Sequence, residues 1–420
     1  MATKNNIPAG YKNSAVGIIP QEWEVKRLAE LCQNTGDYGI NAPAVPYRED
    51  LPTYLRITDI DSWGKFIKTD KASVDNPNSS QFILREGDIV FARTGATVGK
   101  TYLYDSKDGQ LVFAGFLIRF TPNSNKAVPY YIKACTETAS YWNWVRVISQ
   151  RSGQPGINSV EYGAMKLAVP PMEEQRKIAE ILGVWDEAIE KQSRLIEKLE
   201  LRKRALMQRL LTGRTRLPGF TTPWQKVKLG EICKRVTRRN EGNNQNVMTI
   251  SAQKGFVSQT DFFNKSVASS TLDNYYLVLK DEFCYNKSYS NGYPMGAIKR
   301  LKEADKAVVT TLYICFSITD KQKLSIDFFE QYCENGEFNQ GLMKIANEGG
   351  RAHGLLNVTP TDFFSLVMLL PILPEQKAIA EVLTTADNEI ATHRKKLDAL
   401  RLQKRGLMQQ LLTGKTRVKI

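Results

Sequence analysis

Histidine is nearly absent from this 420-residue chain, which holds only His353 and His393. The six cysteines, Cys32, Cys135, Cys233, Cys284, Cys315 and Cys333, include no CxxC pair. Metal sites built from His and Cys need such residues at short spacings, so little room is left for metal or histidine-based acid–base chemistry. Nor do the cysteines form a dense disulfide framework, and buried thiols in a reducing cytoplasm are the expectation. Long apolar runs are missing as well. The longest, from Phe363 to Leu373, has 11 residues and includes Ser365 and Pro371, whereas a membrane-spanning helix needs about 20. The opening stretch MATKNNIPAGYKNSAVGIIP has no apolar core of the signal-peptide kind.

Several catalytic signatures are absent too. No GxGxxG follows a strand pattern, and there is no HExxH. There is also no Asn/Asp-Pro-Pro-Tyr/Phe tetrapeptide of the kind amino-methyltransferases use; the nearest string, VPPM at Val169–Met172, opens a helical segment instead. RTGATVGKT, Arg93 to Thr101, approaches a phosphate-binding loop, but that pattern requires glycine at position 94, where the chain has threonine. A Ser/His/Asp triad is improbable with two histidines, one in a polar loop and one in a helical pattern. No catalytic, cofactor-binding or metal-binding residue is therefore expected.

What the chain does have is positive charge and a repeat. Its 58 Lys and Arg outweigh 44 Asp and Glu, for a net charge of +14. That excess suits a polyanion, either nucleic acid or an anionic membrane surface. Apolar residues at 42% and charged residues at 24% are ordinary globular proportions, and the length accommodates two or three domains. Glu174–Arg216 aligns without gaps to Glu375–Arg417 at an offset of 201, with 21 of 43 pairs identical. Trp23 and LAELC match Trp224 and LGEIC at the same offset; REGDIVFAR, from Arg85, aligns more faintly with LKDEFCYNK, from Leu279. The order is thus two divergent blocks, 1–170 and 217–370, each followed by a well-matched segment, 171–216 and 371–420.

Both matched segments are predicted helices. Ile178, Leu182, Trp185, Ile189, Ile196, Leu199 and Leu206 recur at alternating steps of four and three, with Gln192 and Lys203 filling the polar positions. Ile379, Leu383, Ile390, Leu397, Leu400 and Leu407 follow the same register around His393 and Lys404. A 3.5-residue period sustained over four heptads marks a coiled-coil seam. Prolines 170, 171, 371 and 374 lie at the helix starts and Gly213 and Gly414 at their ends. Each helix begins acidic (Glu173, Glu174, Glu180; Glu375, Glu381) and ends basic (Arg202, Lys203, Arg204, Arg209; Arg401, Lys404, Arg405). Antiparallel packing sets these opposite charges against each other. The plainer alternative is two separate helices, each packed on its own domain. The expected fold class is α+β: two mixed α/β domains separated by two long helices that form an antiparallel coiled coil with a pseudo-two-fold repeat.

In the divergent blocks, strand patterns at Asp88–Ala92, Leu111–Phe120, Phe283–Tyr285 and Val308–Phe316 alternate with glycine-rich loops. Residues suited to base edges and phosphates sit in those loops: Arg93, Thr94, Lys100, Arg151, Gln154 and Asn158 in the first block, and Lys287, Tyr289, Asn291, Tyr293, Arg351 and His353 in the second. For any one of them the plainer reading is a solvated surface residue, and for His393 a seam filler.

The two divergent blocks, the PPMEEQRKIAEIL and LPEQKAIAEVL segments, the LTGxTR endings at Leu211–Arg216 and Leu412–Arg417, and GDIVFARTGATVGK together resemble the specificity subunit of Type I restriction–modification enzymes. The resemblance spans essentially the whole chain. It implies a non-catalytic subunit in which each variable block is a target-recognition domain for one half of a bipartite, asymmetric double-stranded DNA site. The helices would form the spacer and dock two modification (methyltransferase) subunits, which carry S-adenosylmethionine. Restriction/translocase subunits, using ATP and Mg, would complete the complex. NGYPMGA, Asn291–Ala297, departs from the family-like loop. Two alternatives stay open on sequence alone: a recognition subunit of a related Type II system with a fused methyltransferase–nuclease, or a coiled-coil scaffold that binds proteins. A rise of about 1.5 Å per residue makes the helix from 178 to 211 about 50 Å long. At about 3.4 Å per base pair that caps half-site separation near 15 base pairs, and placement of both domains on one side of the duplex favours roughly 10.

Overall fold

The structure, a computed structural model, describes residues 7–151, 153–241, 244–259, 272–346 and 356–420. Two compact units comprise residues 1–192 with 396–420, and residues 193–395. They follow packing rather than the order of the four sequence segments, because each long helix is divided between them. Met172–Leu210 begins in the first unit and ends in the second; Leu373–Leu411 does the reverse.

In the first unit the central sheet is antiparallel and four-stranded, in the order Asp37–Tyr38, Leu117–Phe120, Ile89–Ala92, Thr101–Leu103. A second four-stranded sheet contains a parallel pair, Leu111–Phe113 beside Thr53–Leu55. In the second unit the strands Cys233–Arg235, Ile314–Ile318, Phe283–Asn286 and Ala297–Arg300 repeat the order of the first central sheet. Phe120 faces Ile89 in one and Phe316 faces Phe283 in the other, so the faint sequence repeat is one sheet built twice. Two expected strands prove to be broken. Leu111–Phe120 splits at a turn in which Leu117 N–H reaches the Ala114 carbonyl, and the 308–316 run splits where Tyr313 N–H reaches the Thr310 carbonyl. In each case the chain leaves one sheet for another at this corner, which hydrophobicity alone does not mark.

The long helices supply part of both cores. In the first unit Ile178 and Leu182 are buried with Met408, Leu411 and Leu412 against Trp23, Phe91, Phe120 and Tyr131. In the second, Met207, Leu210 and Leu211 join Ile379 and Leu383 against Phe283, Phe316, Phe328 and Phe363. Burying a side chain of this size stabilises by about 1.5–3 kcal/mol. Of the other seam positions, Ile196, Leu199, Ile390 and Leu397 are buried, and Trp185, Ile189, Leu206, Leu400 and Leu407 are half-buried.

Within each unit the helices run antiparallel, since partner numbers fall on one as they rise on the other. Asp186 takes Lys404 at 2.8 Å in the first unit. Glu200 takes Arg394 at 2.6 Å, Arg202 takes Glu389 at 3.0 Å and Lys203 takes Asp387 at 2.6 Å in the second. The strongest pairs lie just beyond the last turn. Glu174, with a fully buried side chain, accepts Nε and Nη2 of Arg417 at 2.7 and 2.9 Å and the Trp23 indole N–H at 2.9 Å. Glu375, equally buried, accepts the same two atoms of Arg216 at 2.5 and 2.7 Å and the Trp224 indole at 3.2 Å. The neighbouring glutamines have a matching task. Gln175 accepts Val128 N–H at 2.9 Å and Gln376 accepts Ser325 N–H at 2.8 Å, each at the start of a helix. Gly414 turns the tail with φ +69°, and a Cβ there would lie 2.4 Å from Pro20.

A charge network with two buried lysines joins helix and domain in the first unit. Lys404, 9% exposed, also reaches Glu137 at 3.2 Å, Glu137 takes Lys133 at 2.5 Å, and the Tyr130 hydroxyl donates to Asp186. Burial works against both charges, yet Lys133 and Lys404 hold Glu137 below its ordinary value, and Glu137 and Asp186 hold Lys404 above its own. Glu137 therefore stabilises fully above its unfolded value of about 4.3, and the contribution is lost as pH falls through the lowered one. Lys404 stabilises fully below about 10.4, and that contribution is lost as pH rises through the raised value. Lys404→Met leaves Asp186 without a cation and Glu137 with Lys133 alone, and should cost about 3 kcal/mol at pH 7 in urea unfolding, with the alkaline loss flattened. Unchanged stability would contradict the pairing.

Candidate nucleic-acid interface

The two glycine-rich loops of the first unit meet. The Arg93–Lys100 loop is closed at its base by Gly99 N–H to the Ala92 carbonyl at 3.0 Å and Ala92 N–H to the Lys100 carbonyl at 2.8 Å. The loop ending at Asn158 lies against it: Ile157 N–H reaches the Arg93 carbonyl at 2.9 Å, and Gly95 N–H reaches that of Pro155 at 3.0 Å. Two buried tyrosines brace the junction, Tyr141 donating to the Gly99 carbonyl and Tyr162 to that of Ala92. Gly99 has φ +89°, and a Cβ would approach Val145 to 2.7 Å. The phosphate-loop look of this segment is thus accounted for by a close backbone approach.

The six expected contacts of this unit divide in two. Arg93, Thr94 and Gln154 come together, with the Gln154 amide beside Gly95 and the Arg93 guanidinium over the Tyr38 ring, 4.8 Å from its centre. Tyr38 carried no loop signature and escaped sequence reading. The other three are engaged within the unit: Lys100 donates to the Ile60 carbonyl at 3.0 Å, Arg151 pairs with Glu161 at 2.5 Å, and Asn158 caps the Ser159–Gly163 helix through Glu161 N–H at 2.9 Å.

In the second unit Lys287 follows the Phe283–Asn286 strand, as Arg93 follows Ile89–Ala92, and its carbonyl accepts Leu356 N–H at 3.0 Å. Tyr289 is 65% exposed. The Asn291 carbonyl takes the Gln253 amide at 3.0 Å. Tyr293 is held inside the unit: its hydroxyl donates to Glu334 at 2.9 Å beneath Lys299, and burial with the Glu334 charge pushes it above its ordinary value. Arg351 and His353 lie outside the described residues. A cavity of about 330 Å³ opens beside Lys287, walled by Thr249, Gln253, Ser288, Thr310 and Leu312 among others; of these only Lys287 was expected as a contact. Among the described residues no group of His, Cys, Asp and Glu could hold a metal ion, and no helix is long and apolar enough to cross a membrane.

Against known proteins, the family model for the Type I restriction modification DNA specificity domain matches residues 20–201 and again 222–402. The chain belongs to this family. The putative Type I restriction enzyme MjaX specificity subunit of Methanocaldococcus jannaschii is 27% identical, over 97% of each chain. The MjaVIII specificity subunit of the same organism is 22% identical, over 96% of this chain and 94% of its own. The S subunit of a Type I restriction–modification system from M. genitalium shares the fold, with a TM-score of 0.55 at 13% identity over 98% of both chains. The protein is thus a DNA-sequence specificity subunit, and the scaffold and Type II readings are not favoured.

In this specificity subunit the matching family segments carry the tryptophan and glutamate of each clamp, while Arg216 and Arg417 lie just outside them; sequence reading passed these residues over as partners. Their signal was present: Trp23 and Trp224, Glu174 and Glu375, and Arg216 and Arg417 are identical across the repeat. Gly99→Ala tests the loop junction. A positive φ combined with the Val145 clash should cost about 1–3 kcal/mol, read as a lower unfolding midpoint; a wild-type midpoint would show that the loop yields freely.

Proposed function

We propose that this chain is the non-catalytic reader of a Type I complex, each unit recognising one half of a bipartite, asymmetric site on double-stranded DNA. The observation that carries this reading is one frame built twice around different loops: the same sheet order, clamp residues and helix ends recur, while the position that holds Arg93 over Tyr38 in one unit holds Lys287 beside a cavity in the other. Matched parts suit shared tasks, and unlike parts suit unlike half-sites. The net charge of +14 favours the phosphate backbone, which fixes register without encoding sequence.

The shared tasks are spacing and assembly. The paired helices set the distance between half-sites, and their outward faces dock two modification subunits, which carry S-adenosylmethionine and perform the methyl transfer. Restriction/translocase subunits add ATP- and Mg-dependent steps. This chain holds no cofactor of its own, and it acts in the cytoplasm. Inserting one heptad into both helices should lengthen the non-specific spacer of the methylated sequence by about three base pairs, from about 10.5 Å of added rise. Methylation mapping in cells that make the variant with its modification subunit reads this directly. An unchanged spacer with an assembled complex would contradict the proposal.

A further inference from the structure

Part of the cavity wall beside Lys287 is fixed by hydrogen bonds, and part is exposed. In the fixed part, Asn286 donates to the Ile250 carbonyl at 3.2 Å and accepts Ser288 N–H at 3.1 Å, while the Tyr313 hydroxyl lies 3.0 Å from that of Thr249 and accepts Ile250 N–H at 3.3 Å. Asn286 and Tyr313 are therefore occupied in shaping the recess. In the exposed part, Gln253 commits its Nε2 to the Asn291 carbonyl, leaving its Oε1 acceptor unused among the described residues. Leu312 is 57% exposed, a large apolar side chain in the wall of the recess.

The charge at this corner is unbalanced. Among the described residues neither Lys287 nor its neighbour Arg235 pairs with a carboxylate, and Arg235 reaches the Tyr276 hydroxyl at 3.5 Å. Partial burial and the Arg235 charge push the Lys287 ammonium below its ordinary value, a tension that an anion would relieve. The repeat adds a second observation. Arg93 and Lys287 occupy the same place, each following a central strand and each accepting an N–H from the neighbouring glycine-rich loop, from Ile157 and Leu356. A cation kept at a matched position suits a partner common to both halves, and the DNA backbone is such a partner.

We infer that this recess is the base-reading site of the second unit: Lys287 with Arg235 holds a backbone phosphate of double-stranded DNA, Gln253, Ser288 and Thr310 meet a base-pair edge, and Leu312 meets its apolar part, as a thymine methyl offers. The inference rests on the DNA-recognition reading above. The two kinds of residue should fail differently. In the complex with the modification subunit, Gln253→Ala/Leu312→Ala should relax the methylated sequence about tenfold at one or two positions of one half-site and leave the other half intact. Lys287→Gln should preserve the sequence, weaken DNA binding several-fold and reduce the salt slope by about 1.

Methylation mapping and competition binding, with oligonucleotides randomised in one half-site or the other, read both effects, and unfolding midpoints check that the variants fold. If the double variant abolishes methylation, the competition decides: discrimination lost in one half supports the site, and equal loss in both halves overturns it. Wild-type discrimination in the double variant also overturns it, as does a changed sequence in Lys287→Gln. A wild-type complex without any sequence-selective binding would instead remove the reading on which the site depends.

Discussion

Two glutamates without solvent exposure, Glu174 and Glu375, set the terms for the rest of the structure. A carboxylate taken out of water is strongly unfavourable unless a charge and hydrogen bonds replace what water supplied. Here the replacements come from far along the chain. Arg417 lies 243 residues from Glu174, and Arg216 lies 159 residues from Glu375. Each arginine follows the end of one long helix, and each glutamate starts the other helix, so satisfying the carboxylates requires the antiparallel arrangement. Trp23 and Trp224 add an indole donor to each clamp and fasten the start of each domain to the same point.

This closure explains why the compact units differ from the sequence segments. The first block gathers the final residues, 396–420, into its own unit, and the Tyr11 hydroxyl reaches the Gly414 carbonyl at 2.8 Å. Because the frame is fixed by residues identical in both repeats, the loops at the sheet ends are free to diverge. The proposed reading of two half-sites rests on this division between a repeated frame and unlike loops.

The long helices and the repeated strand patterns were legible because periodicity and repetition are local or self-comparing signals. The Glu174–Arg417 partnership was not, since a charge shows its sign in sequence but not the tertiary path that brings its partner. Loop composition was ambiguous in a different way. Arg151, Asn158 and Tyr293 have the chemistry of nucleic-acid contacts, but an ion pair, a capping box and the Glu334 carboxylate engage them within the fold. Gln253, Thr310 and Leu312 carried no motif, because a recess assembled from strand ends separated by tens of residues has no contiguous pattern. The strand runs at 111–120 and 308–316 concealed their corners for a related reason: the apolar residues on both sides of each turn are buried and read as one run.

A double-mutant cycle between Glu174 and Arg417, with both single Ala variants and the double variant unfolded in urea as the full chain, tests the central claim most directly. If the clamp closes the first unit, the two substitutions are strongly non-additive, with a coupling of at least about 1.5 kcal/mol, because removing either partner already forfeits the pair. Additivity within about 0.5 kcal/mol would show that the tail and the helix start are held by other forces, and the account built on their pairing would be wrong.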